Sequence, residues 1–172
     1  MKVSHLLHKY KKSFFVFFLF IACGFIVYGY TCSFEKGCGF SYLETSSRGK
    51  KEVTLPKGNV YVEVMDTPAS RIQGLSGRSG LGEDEGMLFV FDVPGKHGFW
   101  MKDMLFSIDI IWIAENGVIV HVERNISPAS YFVSNPPQRY GTTIDAKYVL
   151  ELAAGQSEKF GAHVGSTVKI GE

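Results

Sequence analysis

Apolar positions fall into two regimes along this chain. From Ser13 to Phe34 no side chain is charged, and Phe14 to Tyr30 is almost wholly apolar. That uncharged run is roughly 22 residues, about 33 Å as a helix, the thickness of a bilayer's hydrocarbon core. Farther along, apolar residues alternate instead of clustering. Val60, Val62 and Val64 interleave with Tyr61, Glu63 and Met65, and Tyr148, Leu150 and Leu152 with Lys147, Val149 and Glu151. Period two predicts strands. Gly86 to Phe91 and Phe99-Trp100-Met101 are apolar runs of strand length, and Thr167–Ile170 reads as a closing strand. Ile108–Ala114 and Val118–Arg124 form the clearest hairpin, with Asn116-Gly117 suited to a type I′ turn. Thr67-Pro68 reads as the N-cap and first-turn proline of a short helix ending before Gly77. A helical turn is expected over Gly155 to Phe160.

These elements predict a mainly β fold, a small sandwich or barrel-like domain with one or two short helices, behind an N-terminal transmembrane helix. Four regions result: a basic tail (1–12), the anchor or signal sequence (13–34), a linker (35–52) and the β-rich domain (53–172). Lys2, Lys9, Lys11 and Lys12 crowd the upstream side of the apolar run. The positive-inside tendency keeps that tail in the cytoplasm and sends the body across. A signal sequence cleaved after export is the alternative, although Tyr28, Tyr30, Thr31 and Cys32 make a poor cleavage site. The expected location is therefore the extracytoplasmic face of a membrane, with Phe14 to Tyr30 as the contact. Cys32 and Cys38 could close a small disulfide loop in an oxidising compartment, or stand as two unrelated thiols.

Charge narrows the partners. The chain of 172 residues has a net charge of +1. With the four leading lysines set aside, 14 of the 18 basic residues face 17 acidic ones, about −3. Such a body is poorly matched to a phosphate backbone, so no nucleic-acid partner is expected. No cofactor motif is present either. Gly77, Gly80 and Gly82 lack the strand–glycine–helix order of a phosphate cradle, and Ser76 misses the nucleophile-elbow spacing.

An ordered series of short motifs carries a resemblance. Arg71-Ile72-Gln73-Gly74-Leu75 is followed by Gly86-Met87-Leu88-Phe89 with Phe91, then by Phe99-Trp100-Met101-Lys102. Ile108-Asp109-Ile110, Val149-Leu150-Glu151-Leu152 with Gly155, and Gly165 complete it. From about Val53 onward the chain resembles the bacterial and archaeal family called domain of unknown function 192. The resemblance implies a single β-rich domain, often behind a signal or anchor, and no established reaction. The chain departs from the family pattern at Asp103, where Asn is usual, at Ser107, where Pro is usual, and at Ser166, where Asp is usual.

Several residues could carry chemistry. Asp109 interrupts an otherwise apolar strand, and a buried carboxylate needs partners. Arg71, Arg78 and Lys102 are the candidates, with Glu85 and Glu151 able to share them. The result is either an anion-binding pocket or an internal network locking helix to sheet. Asp109, Glu151 and His97 could instead serve an envelope glycan hydrolase. His97, Met101 and Met104 have the donor types of a copper site, but a strand would set His97 and Met101 about 13 Å apart. Finally, about 20 residues between Asn125 and Ile144 lack a strand pattern, and loops of that length are functional or disordered. Tyr131, Arg139 and Tyr140 give this loop aromatic and cationic reach. The leading expectation is a binding or accessory module of the cell envelope with an envelope ligand or protein partner, not an enzyme.

Overall fold

The structure, a computed structural model, describes residues 49–171. The expected anchor over 13–34, the candidate Cys32–Cys38 loop and the expected linker up to residue 48 lie outside the described residues. Among the described residues no helix is long and apolar enough to cross a membrane.

Seven strands form one curled sheet. They are β1 (Lys51–Leu55), β2 (Gly58–Met65), β3 (Glu85–Gly95), β4 (Ile108–Ile113), β5 (Ile119–Ile126), β6 (Ala146–Ala153) and β7 (Lys169–Ile170). Two short helices interrupt them: α1 (Pro68–Gln73) between β2 and β3, and α2 (Gln156–Lys159) between β6 and β7. The spatial order is β5-β4-β6-β3-β2-β1-β7. All pairings are antiparallel except β2 with β3. The parallel pair needs a crossover connection, and the segment containing α1 supplies it.

The sheet curls until its two ends meet. Val118 bridges Thr167, Ile119 N–H donates to Ser166 O at 2.9 Å, and Val168 N–H donates to Gly117 O at 2.8 Å. A single curled sheet of this kind is a half-barrel, so the sandwich alternative is set aside. Joining the ends also covers edges that would otherwise template pairing with other chains.

Alternation along each strand separates two cores. Inside the curl lie Val53, Leu55, Val60, Val62, Leu88, Ile111, Ile113, Leu150 and Leu152, closed at one end by Phe160 and Ala162. On the outer face, Met87, Phe89, Ile108, Ile110, Trp112 and Val149 pack beneath Leu75, Met101 and Met104. Apolar residues therefore occupy both faces of β4, which is buried along its whole length, as the unbroken apolar run predicts. A one-residue slip would exchange these faces, so burial on both sides specifies the register.

Two local expectations need correction. Phe99-Trp100-Met101 is not a strand, because this stretch crosses over the outer core and makes only an isolated bridge, Phe99 with Tyr140. The β4–β5 turn is not type I′ either. Gly117 has φ +82° but Asn116 is not left-handed. Ala114 O accepts from Gly117 N–H at 2.9 Å, and Ala114 N–H donates to Val118 O at 2.8 Å. This is the three-residue loop with one left-handed glycine, which leaves a bulge in the ladder.

Candidate functional site

A cleft of about 360 Å³ opens on the outer face of the sheet, between α1 and the stretch from His97 to Met104. Its position follows from how those two segments are fixed. Thr67 caps α1: its Oγ1 accepts from Ser70 N–H at 3.1 Å, and Ser70 Oγ accepts in return from Thr67 N–H at 3.1 Å. Satisfying these end donors, with proline in the first turn, starts the helix at a defined point. Gly74 ends it at φ +46°, where a Cβ would stand 3.4 Å from the Phe89 ring. The following turn holds the neighbouring segment, since Ser76 Oγ donates to Lys102 O at 3.0 Å and Gly77 N–H to Asp103 O at 2.8 Å. Asp103 itself has φ +55°. Asn and Asp tolerate that region best among residues with a side chain, so Asp here serves the backbone role that Asn would.

Two further ties fix the opposite wall. Phe99 and Tyr140 exchange backbone hydrogen bonds of 2.7 and 2.8 Å, and Trp112 Nε1 donates to His97 O at 2.9 Å. Ring packing continues from there into the core. Phe99 stands edge-on to Phe89 at 4.9 Å and to Trp112 at 6.0 Å, geometries favoured by the ring quadrupoles. His97 stacks flat on Phe91 with centroids 3.4 Å apart. The Arg71 guanidinium lies 5.2 Å from the Phe91 centroid, and that of Arg139 lies 4.5 Å over Trp100. The walls are thus aromatic, with two cations against them.

Among the described residues, Glu151 is the one carboxyl lining the cleft. On β6 it sits between Met87 of β3 and Ile110 of β4, and only 5% of it is exposed. No hydrogen bond or ion pair to it is found among the described residues. Burial alone pushes its pKa up to about 8, so at pH 7 it is chiefly a neutral acid, able both to donate and to accept. Burial also lowers the pKa of His97, against the opposing pull of the Val93 and Ala146 backbones. Its Nε2 is buried without a hydrogen-bond partner. The cleft therefore holds a neutral acid, a neutral imidazole and two guanidinium groups.

Arg71, Glu151 and Arg139 come together here, as do His97 and Met104. Other expected residues do not. Asp109 belongs to the inner face and is not paired with Arg71, Arg78 or Lys102. Its Oδ1 accepts from Asn125 N–H at 2.8 Å and its Oδ2 from Ser157 N–H at 2.9 Å, joining the end of β5 to α2. Backbone amides stabilise its charge where cationic side chains were expected. Arg78 instead makes a bidentate pair with Glu63, both contacts 2.6 Å. Lys102 is exposed and contributes only its carbonyl. Tyr131 and Tyr140 pack half-buried against the outer core, while Phe132 and Val133 between them are exposed. Met101 is buried in that core, while Met104 lines the cleft. Phe89, Phe91 and Trp100 form cleft walls that carry no charge to mark them in the sequence. The odd-numbered alternation Met87, Phe89, Phe91 was the available signal.

Residues 51–170 match a protein family, DUF192, described only as an uncharacterized ACR. A crystal structure of a Sinorhizobium meliloti 1021 protein, provisionally described as a transcription regulator, is 30% identical. The match covers 70% of this chain and 93% of that one, with a TM-score of 0.64. A protein of unknown function from Novosphingobium aromaticivorans DSM 12444 is 25% identical, over 70% and 83% of the two chains, with a TM-score of 0.61. No curated protein matches the chain.

Proposed function

The chain belongs to the DUF192 family, and from that premise we propose that it is a membrane-tethered binding module of the cell envelope. Its ligand site is the aromatic cleft. One observation carries the reading: Glu151, only 5% exposed, lines the cleft with no hydrogen bond or ion pair among the described residues, which leaves its carboxyl to whatever enters the cleft. An apolar pocket with a few convergent polar groups is the usual form of a small-molecule site. Support for the tether comes from the uncharged run through Phe14 to Tyr30, with lysines upstream. The glycan-hydrolase reading is weaker. Asp109 faces away from Glu151, and among the described residues no second carboxyl lines the cleft to act with it. The regulator description of the S. meliloti protein does not transfer readily, because the body after the leading lysines is slightly acidic.

The test has two arms. Full-length protein expressed in cells should stay in the membrane fraction through alkaline carbonate washing and need detergent for release. Its C-terminal tag should be cut by protease added outside the cytoplasmic membrane. In detergent micelles, at least one of two flat aromatic probes, 2-naphthoate or 2-naphthamide, should quench tryptophan fluorescence saturably, and Trp100→Ala should abolish this. Release without detergent would end the tethering proposal, and no saturable binding by either probe would end the cleft's assignment.

A further inference from the structure

We infer that the cleft selects an anionic ligand with a flat apolar body, its charge taken by Arg139 and Arg71 and its rings by Phe99 and Trp100. This rests on the cleft being the ligand site, and it adds the chemical class of the occupant.

The first support is charge balance. Four titratable side chains line the cleft: Arg71, His97, Arg139 and Glu151. At pH 7 the two arginines are charged, while His97 and most of Glu151 are neutral. Neither arginine forms an ion pair with a carboxylate among the described residues. Arg71 is held by backbone carbonyls instead, its Nη1 donating to Asp66 O and Val90 O, each at 2.7 Å. Carbonyls fix its position and leave its formal charge uncancelled. The Arg139 guanidinium rests on Trp100, and a Cβ on Gly98 would still stand 3.8 Å from its Nη1. Among the described residues, two positive charges thus border an aromatic space whose one lining carboxyl is chiefly neutral, and the nearest opposing charge felt there is that of Asp145 on His97.

The second support is shape. Planar guanidinium groups match carboxylate or phosphate oxygens in pairs, which a neutral ligand would not exploit. The Phe99 and Trp100 rings line the same cleft and supply apolar surface for a flat body. Glu151, as a neutral acid, can hydrogen-bond a second polar group on the ligand without repelling its charge. A carboxylate and a phosphate monoester on a ring system share this chemistry.

The isosteric pair 2-naphthoate and 2-naphthamide, differing in charge and scarcely in shape, separates the claim from its premise. Full-length protein in nonionic micelles is titrated at pH 7 and low salt, following tryptophan quenching. Naphthoate is expected to bind at least ten-fold more tightly than naphthamide. Arg139→Gln, at an exposed position, should erase most of that preference. Naphthyl phosphate in place of naphthoate then distinguishes the two anion types. Equal affinity for acid and amide, or a preference surviving in both Arg139→Gln and Arg71→Gln, would overturn the selectivity while leaving the cleft a binding site. Failure of both probes to bind would remove the site itself, and this inference with it.

Discussion

Asp109 and Glu151 lie one register step apart on neighbouring strands and face opposite sides of the sheet. Asp109 pairs with Leu152 and Ile110 with Glu151, so the carboxylates are separated by the sheet itself. Each is buried, but they have opposite solutions. Asp109 accepts two backbone amides, whereas Glu151 has no partner among the described residues and at pH 7 stays chiefly neutral by holding its proton. One position is built for stability, and the other is left available to a ligand.

Replacement of Asp109 tests its structural half. An asparagine side chain at this position could accept from only one of the two amides and would turn an NH2 toward the other. Asp109→Asn is expected to cost about 1.5–3 kcal/mol in urea unfolding, the range for hydrogen bonds to a charged group. Amide exchange at Asn125 and Ser157 should rise most. Naphthyl-probe affinity of the folded variant should stay within two-fold of wild type. A large loss of affinity with little loss of stability would contradict this division of roles.

The seam where the curled sheet meets itself depends on Gly117. Its φ is +82°, and a Cβ there would fall 2.6 Å from Val168 O, well inside contact distance. Gly117→Ala should therefore destabilise the domain by roughly 2–4 kcal/mol, through backbone strain and displacement of the seam. Exchange at the Val168 and Ile119 amides should accelerate more than at Val60 in the β1–β2 hairpin. Uniform acceleration across the sheet would show that the seam is not a separate weak point.

Arg78 and Glu63 make the one bidentate ion pair described, and about a third of each side chain is exposed. The Arg78 hydrogen bonds hold the Glu63 pKa below its ordinary value. A depressed carboxylate contributes stability above its unfolded pKa, and that contribution disappears as pH falls through the folded value. Solvent screening limits the gain to about 0.5–1 kcal/mol. Arg78→Ala should lose that amount at pH 7 and less at pH 3, measured by thermal unfolding at both. A cost that does not shrink on acidification would assign the effect to packing of the Arg78 stem.

Much of the scaffold was readable because its determinants are local. Alternation of Val60, Val62 and Val64 located β2, the apolar run of Ile108 to Ile113 located β4, and Thr67-Pro68 located α1. Phe99 to Met101 misled for a physical reason. An apolar run reports burial, and here burial comes from a loop lying over the sheet's outer face. The cleft was less readable. Arg71, Glu151 and Arg139 were named as candidates from side-chain type alone. Their meeting depends on β6 entering between β3 and β4, and on Glu151 sharing its strand face with Val149 and not with Leu152. Chain order does not disclose such pairings, because they join segments separated by dozens of residues. The same gap explains the expected salt bridges to Asp109, whose partners are amides that no side-chain inventory could reveal.

Glu151 makes the sharpest pH prediction. Its carboxyl titrates near 4.5 when exposed and at about 8 in the fold, so between those values the native state holds a proton that the unfolded chain has released. Stability must then fall as pH rises from about 4.5 and level off above about 8, by roughly 5 kcal/mol at most from this one group. Glu151→Gln removes the titrating group and nearly preserves its shape. The variant's unfolding free energy should lack this slope, match wild type near pH 5 and exceed it at pH 9. Binding of 2-naphthoate should follow the same ionisation, because a carboxylate at the cleft cancels part of the attraction from Arg71 and Arg139. Burial holds the His97 pKa below its ordinary value, so the imidazole is already neutral between pH 7 and 9. Wild-type affinity should drop over that interval while the Glu151→Gln affinity stays flat. Parallel pH profiles for the two proteins would place the carboxyl in contact with water and leave it no part in either effect.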